Sequence, residues 1–144
     1  MKDYHLAQGG ASNLSISHKH ATEVLRFIKG MEVNKAIKRL ERVIAHEEAV
    51  PFKRFNRKIG HRPGIGPGRY PEKTCSAIIE ILKNAKNNAL NKGLQEEKLV
   101  IKEGIVMMDI SKRKRVRSKK GKYTGSMKLT SIKVILNEKE EQND

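Results

Sequence analysis

Apolar residues recur along this chain with two different periods, and the change of period divides it. Over residues 18–29, Ala21, Val24, Leu25 and Ile28 fall at i, i+3, i+4 and i+7, the stripe of an amphipathic helix. Ser17 suits its N-cap and Gly30 its C-terminal stop. A second helix begins near residues 32–34 and runs to about Glu48 on a stripe of Val33, Ala36, Ile37, Leu40, Val43 and Ile44, and Pro51 ends it. The turn around Gly30 and Met31 is short, so the two helices should pack antiparallel or cross steeply. Pro71 suits the first position of a third helix reaching about Lys92, with Cys75, Ile78, Ile79, Leu82, Ala85 and Ala89 on one face and Gly93 closing it.

From Leu99 the period falls to two. Leu99, Val100 and Ile101 lead through Glu103 and Gly104 to Ile105, Val106, Met107, Met108 and Ile110, a run rich in β-branched residues. Returning, Leu129, Ile132, Val134 and Leu136 alternate with polar residues, with one slip at Ser131. Residues 99–136 therefore read as a long β-hairpin. Between its arms, residues 111–125 carry eight cations (Lys112, Arg113, Lys114, Arg115, Arg117, Lys119, Lys120 and Lys122) and no acid. A two-stranded ribbon so polar is marginal alone in water and is expected to order against a partner. At roughly 3.3 Å per residue, residues 105–119 would project about 50 Å.

The remaining segments fill in the plan. Residues 1–12, with Gly9 and Gly10 and few large apolar side chains, read as a flexible leader, and residues 13–16 as a short strand able to pair with the hairpin base. Residues 138–144 are polar and mostly acidic, and read as a disordered tail. The expected fold is α+β in a single domain spanning residues 1–144: three helices packed on a small three-stranded antiparallel sheet, with a long protruding basic β-hairpin.

Residues 51–70 break the helical pattern altogether. Four Gly and three Pro there forbid a long regular element, while Lys53, Arg54, Arg57, Lys58, Arg62 and Arg69 interleave with Phe52, Phe55 and Tyr70. A loop of this length inside a small domain calls for an external reason. An RNA groove supplies one: cations neutralise phosphates, rings stack on bases, and glycines let the backbone approach closely.

Charge points the same way. The 144 residues hold 31 Lys and Arg against 16 Asp and Glu, a net charge of +15, with a pI near 10.1. Such a surface repels itself when free and is stabilised by a polyanion, usually nucleic acid. Cys75 is the single cysteine, which excludes an internal disulfide and a multi-cysteine zinc site and suits a reducing compartment. No apolar run approaches the roughly 20 residues that span a bilayer, and residues 1–11 lack the hydrophobic centre of a signal peptide, so a cytoplasmic protein with no membrane partner is expected.

Catalytic and cofactor chemistry finds little support. The run from Gly64 to Gly68 follows no strand, precedes no Gly-Lys-Ser/Thr, and loses an amide donor at Pro67, so it does not read as a nucleotide loop. Cys75 lies on an apolar stripe and reads as a buried thiol. His18 and His20 diverge on a helix, while His5, His46 and His61 stand apart, so no metal site is expected. Glu47-Glu48 and Glu96-Glu97 do not face one cleft, which leaves general acid/base catalysis without apparatus. No enzyme and no cofactor are expected.

Several short motifs in order carry a family resemblance. Ser17-His18-Lys19-His20, Val50-Pro51-Phe52-Lys53-Arg54, Ile59-Gly60-His61-Arg62, Gly68-Arg69-Tyr70-Pro71, Ile81-Leu82-Lys83-Asn84-Ala85, Lys92-Gly93-Leu94 and Arg115-Val116-Arg117-Ser118-Lys119-Lys120-Gly121-Lys122 together resemble the universal large-subunit ribosomal protein L twenty-two family, in its archaeal and eukaryotic branch. The resemblance covers residues 14–136. It implies a structural constituent of the large ribosomal subunit, bound to large-subunit rRNA beside neighbouring ribosomal proteins and not a homo-oligomer. Its globular base would lie on the subunit surface, and its hairpin would extend to the nascent-peptide exit tunnel.

The candidate rRNA-binding residues follow from loop, hairpin and motifs together. They are Ser17, His18, Lys19, His20, Lys53, Arg54, Phe55, Arg57, Lys58, His61, Arg62, Arg69, Tyr70, Lys83, Lys112, Arg113, Lys114, Arg115, Arg117, Lys119, Lys120 and Lys122. Ser118, Lys119, Lys120, Gly121, Lys122 and Tyr123 form the candidate tunnel tip, where the resemblance implies a nascent peptide nearby. The plainer reading of residues 112–122 is a disordered basic segment or localisation signal, and strands on both sides weigh against it. A free-standing nucleic-acid-binding regulator, using the first two helices on DNA, is the alternative function. It requires a basic helix face, whereas Lys29, Lys35, Lys38, Arg39 and Arg42 are offset by Glu23, Glu32, Glu41, Glu47 and Glu48.

Overall fold

The computed structural model describes residues 6–109, 112–118 and 121–138, with the backbone alone at 112–118, 122–124 and 126. Its strands are β1 (Leu6–Leu14), β2 (Val50–Pro51), β3 (His61–Arg62), β4 (Gly66–Arg69), β5 (Leu99–Met108), β6 (Lys112–Ser118), β7 (Gly121–Met127) and β8 (Thr130–Glu138). The helices are α1 (His18–Ile28), α2 (Val33–Ile44) and α3 (Glu72–Asn91), with a 3₁₀ turn at Glu96–Lys98 before β5. The α+β architecture of three helices on a three-stranded antiparallel sheet is the one the periodicities predict. A second small sheet adds to it.

In the main sheet β8 lies between β1 and β5, antiparallel to both. One face of β8 sends Ile132, Val134 and Leu136 into the core, where they meet Val24, Leu25 and Ile28 of α1, Leu40 and Val43 of α2, and Ile78, Leu82 and Ala85 of α3. Those are the predicted stripes, and burial of their apolar area drives the layers together. The slip at Ser131 has a local cause. Ser131 is buried and its hydroxyl donates to Asp109 Oδ2 at 2.6 Å, while the buried Thr130 hydroxyl donates to Ile16 O at 3.0 Å. Both polar side chains are satisfied inside the fold, as burial requires.

The flexible leader is the main correction. Residues 6–12 are not loose: β1 starts at Leu6 and pairs with β8 from Leu6↔Asn137 to Ala11↔Ile132, with a register shift before Leu14↔Thr130. The strand expected at 13–16 is instead the end of β1, which is irregular at Asn13 with φ +56° and stops at Leu14. Gly9 and Gly10, which look like flexibility, serve close packing. A Cβ on Gly9 would stand 2.7 Å from both the backbone nitrogen and the Cβ of Ala85, so only glycine lets α3 lie this close to β1.

Smaller differences concern element ends. Helix α2 stops at Ile44 rather than Glu48, because His46 takes φ +63°. Ser17 occupies the N-cap position of α1, yet its side chain makes no capping hydrogen bond. Of the residues read as hairpin arms, β5 pairs with β8 and β6 with β7, and between the two ladders Asp109 N–H donates to Leu129 O at 3.0 Å. The turn at 119–120 and the tail beyond Glu138 lie outside the described residues. Among the described residues, no helix is long and apolar enough to cross a membrane.

Two measurements check this packing. Gly9→Ala should destabilise the protein by about 3 kcal/mol in urea unfolding, the upper end of overpacking costs. Gly60→Ala, where an added Cβ meets nothing within 4 Å, should change it by less than about 0.5 kcal/mol. Cys75 is fully buried, and burial pushes its thiol up to about 12. At pH 8 it is therefore the unreactive thiol. A disulfide reagent should leave the native protein unmodified and titrate one thiol per chain in denaturant.

Candidate nucleic-acid interface

Residues 51–70 are not an irregular loop. β4 is the middle strand of a second sheet, pairing with β2 through Val50↔Arg69 and Pro51↔Gly68 and with β3 through His61↔Pro67 and Arg62↔Gly66. Pro67, with no amide proton, accepts from Phe52 N–H at 2.9 Å instead. The tight β3–β4 turn uses Gly64 at φ +76° and Gly66 at φ +73°, a backbone that side chains resist. The glycines and prolines thus specify a short sheet. The sequence argument excluded long elements and missed this one because two-residue ladders carry no periodic signal.

A buried carboxylate anchors this sheet to the helical layer. Glu23 of α1 is 2% exposed. Its Oε1 accepts from the N–H groups of Arg54 and Phe55, both at 2.7 Å, and its Oε2 from Lys53 N–H at 3.2 Å. Three amides in succession around one carboxylate hold the backbone at 53–55 in a single shape, by charge-assisted hydrogen bonds. Arg57 Nε extends the arrangement by donating to Lys53 O at 2.6 Å. Glu23 was absent from the candidate residues, and no pattern marks it. It sits about 150° round the helix from the α1 stripe, where a carboxylate reads as solvated until another segment covers it.

With its backbone fixed, the segment presents its cations outward. Lys53, Arg54, Arg57, Lys58, His61, Arg62 and Arg69 are all exposed. Among the described residues none of them forms an ion pair, whereas Lys35, Arg39, Arg42 and Lys86 pair with Glu32, Glu48 and Glu96. Those four helical cations are compensated, and the cations of the small sheet are not. On α2 compensation leaves only Lys38 without an ion pair among the described residues, which weighs against the basic helix face that the DNA regulator needs.

The aromatic residues divide by role. Phe52 is buried in the core under the edge of His20, ring centroids 5.4 Å apart, and so is unavailable to a base. Phe55 is half-buried, with the His18 ring edge-on at 6.2 Å and the Arg54 guanidinium 5.2 Å from its centroid. Tyr70 is half-buried too, stacked on His46 at 4.7 Å with Arg62 at 5.2 Å. His46 in turn meets Glu72 Oε1 at 2.6 Å. Each ring keeps a cation beside it, the arrangement that stacks on bases and holds phosphate together.

Ser17, His18, Lys19 and His20 open α1 next to this surface. The His18 Nδ1 is buried with no hydrogen-bond partner. His20 is held below the usual imidazole range by burial first, then by the charges of Arg69 and Lys128. The contact of its ring with Phe52 sets the start of α1 against the edge of the small sheet. Lys83 is exposed on α3 but lies apart, about 16 Å along the helix from Glu72 at 1.5 Å per residue.

In the hairpin, Lys112, Arg113, Lys114, Arg115 and Arg117 lie on β6, paired with β7 from Lys112↔Met127 to Ser118↔Gly121, with Arg117 opposite Lys122. The side chains of these cations and of Ser118 and Tyr123 lie outside the described residues, as do Lys119 and Lys120 altogether. Among the described residues no group of three or more His, Cys, Asp or Glu is placed to hold a metal ion.

Comparison with known proteins matches the family model described as ribosomal protein L22p/L17e over residues 10–137. The chain is similar to the large ribosomal subunit protein uL22 of Cenarchaeum symbiosum, 49% identical over 88 residues, and of Methanothrix thermoacetophila, 48% identical over 91. These alignments take in 60% and 61% of this chain and span 58% and 60% of those relatives. With uL22 of Methanocaldococcus jannaschii it is 43% identical over 136 residues, 92% of this chain and 87% of the relative. A match through both sheets, all three helices and both basic segments leaves one assignment: the chain belongs to the ribosomal protein L22p/L17e family.

Proposed function

We propose that this protein is a structural constituent of the large ribosomal subunit in the cytoplasm, that it binds large-subunit rRNA, and that it is not an enzyme. The observation that carries this reading is the row of unpaired cations on the small sheet, held in place by Glu23, in a chain of this family. Cations without acidic partners repel one another in the free protein and lose that cost when phosphates neutralise them. A preformed backbone at 53–55 also reduces the ordering cost of binding.

The basic ladder of β6 and β7 is a second RNA-binding element. Residues 53–69 and 112–122 then engage separate RNA segments and bridge them during assembly, with neighbouring ribosomal proteins alongside. The tip residues Ser118, Lys119, Lys120, Gly121, Lys122 and Tyr123 extend toward the exit tunnel and the nascent peptide. The protein acts as one copy in the particle, without a homo-oligomer.

Sucrose-gradient fractionation followed by RNA crosslinking tests this. The expected outcome is residence in large subunits, with crosslinks from 53–69 and 112–122 to separate rRNA segments; recovery in soluble fractions or on DNA sinks the reading. With six to ten phosphate contacts, affinity for an rRNA fragment should fall by about three to five decades from low to physiological salt. Replacing the anchor by Glu23→Ala leaves three amides unsatisfied. It should cost about 2–4 kcal/mol of stability and weaken RNA binding several-fold at temperatures where the variant is still folded. Unchanged RNA affinity in the folded variant would show that Glu23 does not position the interface.

A further inference from the structure

A polar pocket of about 370 Å³ opens where the first turns of α1 and α3 meet the residues leading into β8. Ser15, Ser17, His20, Lys73, Thr74 and Lys128 line it, and no carboxylate does. Among the described residues neither Lys73 nor Lys128 forms an ion pair, so the two charges converge uncompensated. Thr74, which lines the pocket, is 3% exposed. The Ser17 side chain does not cap α1. The first amides of that helix therefore lack a capping partner and carry the positive end of its dipole. Thr130 Oγ donating to Ile16 O at 3.0 Å ties one wall of the pocket to the start of β8.

Two ammonium groups, hydroxyls and uncapped amides around a space without an acid are the donor set of a phosphate site. We propose that this pocket seats a single backbone phosphate of the bound RNA, held jointly by Lys73 and Lys128 with Ser17 and Thr74. The inference rests on the RNA-binding reading and extends it to Lys73, Thr74 and Lys128, which lie outside both basic segments. A phosphodiester is favoured over a terminal or free phosphate because the pocket adjoins the exposed cations. His20, a pocket residue, lies edge-on to Phe52 beside the small sheet, ring centroids 5.4 Å apart. A strand crossing the small sheet thus continues into the pocket.

The test compares salt dependence of binding to one large-subunit rRNA fragment for the wild type, Lys53→Gln and the double variant Lys73→Gln/Lys128→Gln. Both lysines are exposed in their lining positions, so circular dichroism and melting temperature should not change. One shared phosphate predicts that the double variant binds several-fold more weakly at moderate salt and that its log–log salt slope shrinks by about 1. A slope loss of about 2 would assign the lysines to separate phosphates and overturn the single seat. An unchanged slope, with Lys53→Gln still weakening the complex, overturns the pocket while leaving the RNA reading intact. Absence of salt-dependent binding by the wild type would instead end the RNA reading, and the pocket with it. Enzymatic removal of the fragment's 5′ phosphate should leave the pocket effect in place; its disappearance would mean that a terminal phosphate is the ligand. Inorganic phosphate at millimolar-range concentration should not shift the His20 imidazole signals, whereas the rRNA fragment should, and should raise the His20 pKa by cancelling the nearby positive charge. A shift by inorganic phosphate alone would assign the site to a free anion.

Discussion

Strand β8 is paired on both sides, with β1 from the beginning of the chain and β5 from the strand before the basic ladder. That double pairing is the constraint from which the rest follows. A lone hairpin of β5 and β8 has no stability of its own in water. Adding β1 completes a sheet with one apolar face, on which α1, α2 and α3 bury their stripes. The glycine contact between β1 and α3 sets how closely this happens, since a side chain at Gly9 would meet the backbone of Ala85. Residues far apart in sequence therefore hold each other, and the β5–β8 base is rigid enough to carry β6 and β7.

On this base, charge is sorted. Cations on α2 are neutralised within the protein, Arg39 and Arg42 by Glu48 and Lys35 by Glu32. Exposed ion pairs of this kind add little stability. Their larger consequence is that α2 has less free charge to offer a polyanion than the small sheet. The small sheet and the start of α1 do the opposite, with cations left unpaired around half-buried rings. An excess of positive charge read from composition becomes a directed surface only because the acids are placed elsewhere.

Glu23 links the two halves of this organisation. Its carboxylate is buried by the segment it captures, and the three amides it accepts from belong to Lys53, Arg54 and Phe55, of which the first two point outward as cations. Negative charge inside the fold thus orders positive charge outside it. The carboxylate sits inside a turn of successive N–H groups, a concavity that otherwise takes an external anion. With that site filled from within, only groups outside it are left to meet an external anion.

Much of the fold was legible in the sequence because helix stripes and strand alternation are local. The stripe of Val33, Ala36, Leu40 and Val43 needs a core wherever it is placed, and the alternation of Ile132, Val134 and Leu136 needs a sheet with one covered face. The basic segments were equally legible, since their charge is countable residue by residue. What escaped was set by partners distant along the chain. Gly9 and Gly10 read as a loose leader until α3 lies against the first and β8 against the second, and residues 51–70 read as a loop because their ladders are too short to show a period. Glu23 reads as solvated until residues 53–55 cover it, and Lys73 and Lys128 read as ordinary surface charge until α1, α3 and β8 bring them to one pocket. Period and composition are properties of a segment; burial of a charge or closeness of two backbones is a property of a pair, and only the tertiary structure supplies the second member.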